Sequence, residues 1–278
     1  MRELMKADRY RLKRDKVFWV CLLALLCVAV AMMYTGSGQC RALVKEGYSA
    51  NLEQFCFRLS LAVELCMGVF TGLFLGTDHS EGALRNRLMV GHSREKVYLA
   101  ALCLTMTAAL CFTAAWLVGG GALALPNRDL WQMGGGQTAL FLLVAISSAL
   151  SLASILTVVG MLTEKKSAAA VSTILLVLFL ILLSTWLHSR LQEPELETGL
   201  IMTAQGMQWG EPTPNPRYVG GALRQAYTLL LNVLPTGQAV LLTEMAVSRP
   251  LLNIGSSAAV TAVTTLLGIF LFRKKELK

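Results

Sequence analysis

Residues 78–100 read DHSEGALRNRLMVGHSREKVYLA, a short polar island between two long apolar runs. A stretch this short and this charged, with apolar chain on both sides, reads as a connection at one membrane surface. Its own pattern predicts a helix. Ser80 is placed to cap a start near Glu81, whose charge suits the positive end of a helix. Leu84, Leu88 and Met89 fall on one apolar stripe, and Arg85, Asn86 and Arg87 point elsewhere. Gly91 ends the helix and Ser93 starts the next element. A plain loop helix lying on lipid headgroups would show the same pattern.

Outward from that island the chain divides into six apolar segments: Val17–Tyr34, Phe55–Leu75, Val97–Leu123, Thr138–Leu162, Ala168–His188 and Leu251–Phe272. A spanning helix needs about 20 residues, so each suffices, the first barely. No alternating strand pattern is present, which leaves helices as the spanning form. Composition agrees. Of 278 residues, 55% are hydrophobic and 15% charged, against about 25% charged in soluble domains. The first run is longer than a signal-peptide core of about 7–15 residues and reads as an anchor that stays.

The net charge of +8 is arranged by topology and not for nucleic acid. Residues 1–16 carry seven basic side chains, the 76–96 loop four, Lys165 and Lys166 two, and the carboxyl end four. The other side carries seven in all, among them Arg190, Arg224 and Arg249, while Arg58 falls inside a span. That bias predicts both termini in the cytoplasm and a multi-pass protein of the cell membrane. Residues 1–16 have no Pro or Gly and read as a basic helix on the inner surface, with Asp8 interrupting its apolar stripe. The long segment 189–250 faces outward. Within it Ala222, Leu223, Ala226, Leu229, Leu230 and Val233 recur at helical spacing and predict an interfacial helix that ends at Pro235 and caps the bundle.

Catalytic signatures are missing from the chain. It has no GxxxxGK[ST] phosphate loop, no HExxH, no paired CxxC and no GxSxG, and its three histidines lack companions at metal-ligand spacing. Neither a metal nor a cofactor is expected. Five of the seven cysteines lie in apolar runs, whereas Cys40 and Cys56 fall on the outer side and could bridge. Glu64 sits near the middle of the second span, where a carboxylate costs about 2.5–3.5 kcal/mol. It is a candidate for a translocation path or a dimer interface, with a packing pair to Ser147, Ser148 or Ser151 as the plainer reading.

The string EGALRNRLMVGHSREKVYLA resembles the loop between spans two and three of type-2 ABC transporter permeases. The matching positions are Glu81, Gly82, Arg85, Asn86, Gly91, Ser93 and Arg94. NPRYVGGALRQ at 215–225 with LPTGQ at 234–238 is similar to that family's outer segment, and GIFLFRKKELK to its carboxyl terminus. The resemblance runs from end to end. It implies an all-α permease formed as one membrane domain over 1–278, with a coupling loop at 76–96. Glu81, Gly82, Leu84, Arg85, Asn86, Leu88, Gly91, Ser93 and Arg94 would engage a separate cytoplasmic ABC ATPase, which would bind the ATP. A second permease copy or a related chain would complete the membrane part of a drug or peptide-antibiotic exporter, or of an immunity system. An ion-driven transporter and a non-transporting scaffold or sensor are the other readings. The first would want several buried charges at mid-membrane.

Overall fold

A computed structural model describes the backbone of residues 2–198, 200–203, 206–209 and 211–275, and the side chains of 4–198 and 211–275. Lys278, counted above among the basic residues, lies outside these, as do the side chain of Arg2 and the last three residues of the carboxyl-terminal string.

The chain is an all-α membrane protein. A basic helix α1 (Arg2–Arg14) leads into α2 (Lys16–Lys45), whose first turn is capped by Asp15, with its carboxylate accepting from the Phe18 amide at 2.8 Å. Next come a short α3 (Leu52–Phe57), α4 (Leu59–Ser80), a short α5 (Ala83–Met89) and α6 (Arg94–Ala124). Then follow α7 (Gly135–Leu162), α8 (Lys166–Gln192), α9 (Gly221–Val233), α10 (Pro235–Thr243) and α11 (Pro250–Lys274). Two small antiparallel ribbons project between α8 and α9: β1 (Leu196–Glu197) pairs with β4 (Thr213–Pro214), and β2 (Leu200–Thr203) with β3 (Gly206–Trp209).

Among the described residues six helices are long and apolar enough to cross a membrane, and they coincide with the six segments expected. Four of the helices outrun their segments at both ends, whereas α4 itself starts inside its segment at Leu59 and α7 stops with its segment at Leu162. At 30 residues α2 is about 45 Å long, against a hydrocarbon core of about 30 Å, so it tilts or projects.

The tightest helix contact is built on glycine. Gly68, Gly72 and Gly76 recur every fourth residue on α4 and lie on α8 against Val177, Thr173 with Ala170, and Lys166 with Ala169. At Gly72 an added Cβ would meet the Ala170 Cα at 2.8 Å and the Thr173 hydroxyl closer still. Only glycine permits this approach, the small-xxx-small packing of membrane helices. It lets the Thr173 hydroxyl donate across the interface to the Gly68 carbonyl at 2.9 Å.

The segment 189–250 departs from expectation. Helix α9 ends before Pro235 as the sequence predicts, but the chain then bends by 95° and α10 packs inside the bundle. Every residue from Pro235 to Leu242 is buried. The reason is a polar lock. Gln238, fully buried, donates through Nε2 to the carbonyls of Asn232 (2.8 Å) and Asn253 (3.0 Å), and its Oε1 accepts from Ser257 at 2.9 Å. Thr236 joins Ser184 on α8 at 2.8 Å. The end of the segment 189–250 is thus a sharply bent helix pair whose second member is buried in the bundle. Cys40 and Cys56 are both buried free thiols.

Candidate coupling site

Within the island 78–100 a short helix lies between two left-handed glycines. Ser80 does not cap it: α4 runs through Ser80, whose hydroxyl turns back to the Thr77 carbonyl at 3.1 Å. The cap of α5 is Gly82, left-handed at φ +66°. At the other end Gly91 is left-handed at φ +94°. There the Gly91 amide donates to the Leu88 carbonyl (3.0 Å) and the His92 amide to the Arg87 carbonyl (3.2 Å), the paired bonds of a Schellman stop. Ser93 then caps α6, accepting from the Lys96 amide at 3.4 Å.

Within α5 the predicted stripe splits. Leu84 is buried and Leu88 half-buried, but Met89 is 71% exposed and Val90 beside it 79%. Glu81, Arg85 and Asn86 are also exposed. The tip of α5 therefore offers two unpartnered apolar side chains inside a polar rim. Arg94 points away from this tip. Its guanidinium donates to the carbonyls of Phe272 (3.3 Å), Arg273 (3.0 Å) and Lys275, which caps the end of α11. Lys275 in turn donates to the Met161 carbonyl at 3.2 Å, closing α7, and burial holds its ammonium below the ordinary value. The end of α11 is thus tied to the start of α6 and the end of α7.

One ion pair ties α5 to α1 and a second ties α1 to α4, and sequence spacing revealed neither. Arg87 pairs with Asp8 on α1 at 2.5 Å, and Asp8 is 3% exposed. Arg11 of α1 pairs with Asp78 near the end of α4, donates to the Phe74 carbonyl at 3.2 Å and covers the Phe74 ring at 3.9 Å. Burial, then the neighbouring Arg87, lowers the Arg11 guanidinium from its ordinary value. A groove of about 290 Å³ lies between α1 and α5, with Leu4, Val90 and His92 in its walls. Asp8, which interrupts the apolar stripe of the first sixteen residues, was the available signal. So was the four-residue glycine spacing of α4.

Glu64 is 1% exposed and neither carboxylate oxygen has a partner among the described residues. Ser147, Ser148 and Ser151 bond their own helix, at 3.0, 2.9 and 2.9 Å, and do not supply one. One turn before Glu64, Ser60 donates to the Ala239 carbonyl of α10 at 3.2 Å. One turn after it, Gly68 packs on α8. Glu64 shares that face of α4, so it belongs to the junction of α4, α8 and the buried α10. Among the described residues no group of three acidic, histidine or cysteine side chains could hold a metal.

A family model described as "ABC-2 family transporter protein" matches residues 4–189, two thirds of the chain. No curated protein matches it.

Proposed function

The chain belongs to the ABC-2 family of transporter proteins, and on that premise we propose that it is the permease of an ATP-driven exporter, moved by a separate ATPase that grips α5. The observation that carries this reading is the tip of α5, where Met89 and Val90 stand exposed between two left-handed glycines. An exposed apolar pair in a polar rim suits a protein groove better than water. Its root is tied to α1 by an ion pair. A pull on the tip would reach α1 through Arg87 and Asp8, and α4 through Arg11 and Asp78. Because α4 packs on α8 through glycines, those two helices would move as one body.

In this reading the basic end faces the cytoplasm, as the charge bias favours. Two permease chains and two ATPases would work together, and substrate would leave the cell or the membrane. The chain itself binds no ATP in this scheme, consistent with the missing phosphate loop. We place Glu64 in the translocation path or at the dimer interface. An ion-driven scheme would want several unpaired charges at mid-membrane, and the other buried acids near the spans, Glu53 and Asp78, have partners.

The test is co-purification of this chain with a candidate ABC ATPase. Wild type should retain the ATPase, while Met89→Glu with Val90→Glu should insert normally and lose it. Arg85→Glu with Gly91→Pro should act likewise. Equal retention by all of them would refute the assignment of α5. Loss in every case, wild type included, would favour the scaffold or ion-driven readings.

A further inference from the structure

The end of the bundle opposite the basic one carries a cavity of about 690 Å³ between α9 and the start of α11. That is within the range of ligand clefts, about 300–1,000 Å³. Arg224, Gln225, Ser248 and Arg249 bring polar groups to it, Leu229 and Leu252 supply apolar wall, and no carboxylate lines it.

The polar groups are largely unused. Arg249 is exposed, and its side chain has no partner among the described residues; the same holds for Gln225 and Ser248. Arg224 spends two donors on the Leu191 and Val219 carbonyls, at 2.9 and 3.3 Å, which fixes its guanidinium in the wall and leaves further N–H groups. Arg249 also caps α11, a helix of 25 residues whose positive end adds to the same field. One turn further, on the same helical face, Asn253 is fully buried with both amide atoms unpartnered among the described residues. Two guanidinia without a neighbouring carboxylate ask for an anion, and guanidinium matches phosphate in a forked pair.

The surroundings decide which anion. Leu229 and Leu252 are exposed in the wall, as are Leu230 and Leu251 beside them. The site lies where α11 begins, at one end of a helix long and apolar enough to cross a membrane. A soluble anion has no use for those leucines, but an amphiphile has. We propose that this cavity binds the phosphate headgroup of a membrane phospholipid, with its chains descending past Leu229 and Leu252.

The test is native mass spectrometry of the full chain from mixed micelles of phosphatidylglycerol and diacylglycerol in equal amounts. It requires neither the ATPase nor a known orientation, so its failure would leave the proposed function standing. Wild type should keep one phosphatidylglycerol in preference to diacylglycerol. Arg249→Gln should lower that retention about tenfold, the effect of losing one charge-assisted pair. Arg128→Gln, which removes an exposed charge from the same end but outside the cavity, should change nothing. Equal loss in both variants, or none in Arg249→Gln, would overturn the proposal. Displacement of the lipid by millimolar inorganic phosphate would overturn it too, in favour of a soluble anion.

Discussion

The pair between Asp8 and Arg87 gives the most quantitative test of how α5 is anchored. The Asp8 side chain is 4% exposed and that of Arg87 16%. Removing one partner of a buried pair costs about 3–5 kcal/mol, because the other charge stays buried. The two single changes should therefore be unequal. Arg87→Ala strands a nearly inaccessible carboxylate and should cost about 3 kcal/mol. Asp8→Ala leaves a longer, less buried guanidinium that can reach toward headgroups, so about 1–2 kcal/mol is expected. The double variant should cost less than the sum, with a coupling of about 2 kcal/mol. Arg11, whose guanidinium feels both Asp8 and Arg87, can take over part of the lost pairing. Adding Arg11→Ala to Arg87→Ala should then hurt more than additively. The assay is reversible unfolding of the purified chain in mixed micelles with rising dodecyl sulfate, all variants at one ionic strength. Single changes that add within about 0.5 kcal/mol would refute the buried pair. So would Asp8→Ala being the worse of the two.

Four further outcomes are expected. Glu64→Leu removes two unpartnered oxygens from a fully buried site, so it should stabilise the chain by about 1–3 kcal/mol in the same unfolding assay. Glu64→Gln should lower transport of a cationic substrate while assembly is unchanged; a destabilised Leu variant would mean that Glu64 has a partner after all. Gly72→Ala should separate α4 from α8 and cost about 1–3 kcal/mol, and Thr173→Ala should not rescue it fully, because the Ala170 Cα lies at 2.8 Å from the added carbon. Gly91→Ala should cost about 1–2 kcal/mol through its φ of +94° alone, since nothing crowds the position, and Gly91→Asn should cost less; equal values for the two would show that the left-handed stop is not kept.

Much of this protein is legible in the order of its residues. A membrane span depends on the apolarity of about 20 neighbours and needs no partner, so all six could be counted from the chain. The stop at Gly91 is equally local, because a left-handed residue excludes most side chains wherever it occurs. The helix after the Ser93 cap follows from the same short-range chemistry.

Other features rest on contacts that no local pattern contains. Arg11 meets Asp78 across 67 positions, and Arg87 meets Asp8 across 79. Asp8 looks like a flaw in an amphipathic stripe until α1 is laid beside α5. Met89 looks like core until packing buries Leu84 in its place and leaves Met89 outside. The segment after Pro235 is nine residues long, too short to announce a buried element by itself. It enters the bundle because Gln238 finds acceptors on Asn232 and Asn253 there. Apolar transfer is a sum over neighbours in sequence, so the chain alone fixes which segments enter the membrane. Buried polar groups must each find one particular partner, and only the folded arrangement decides where those partners stand.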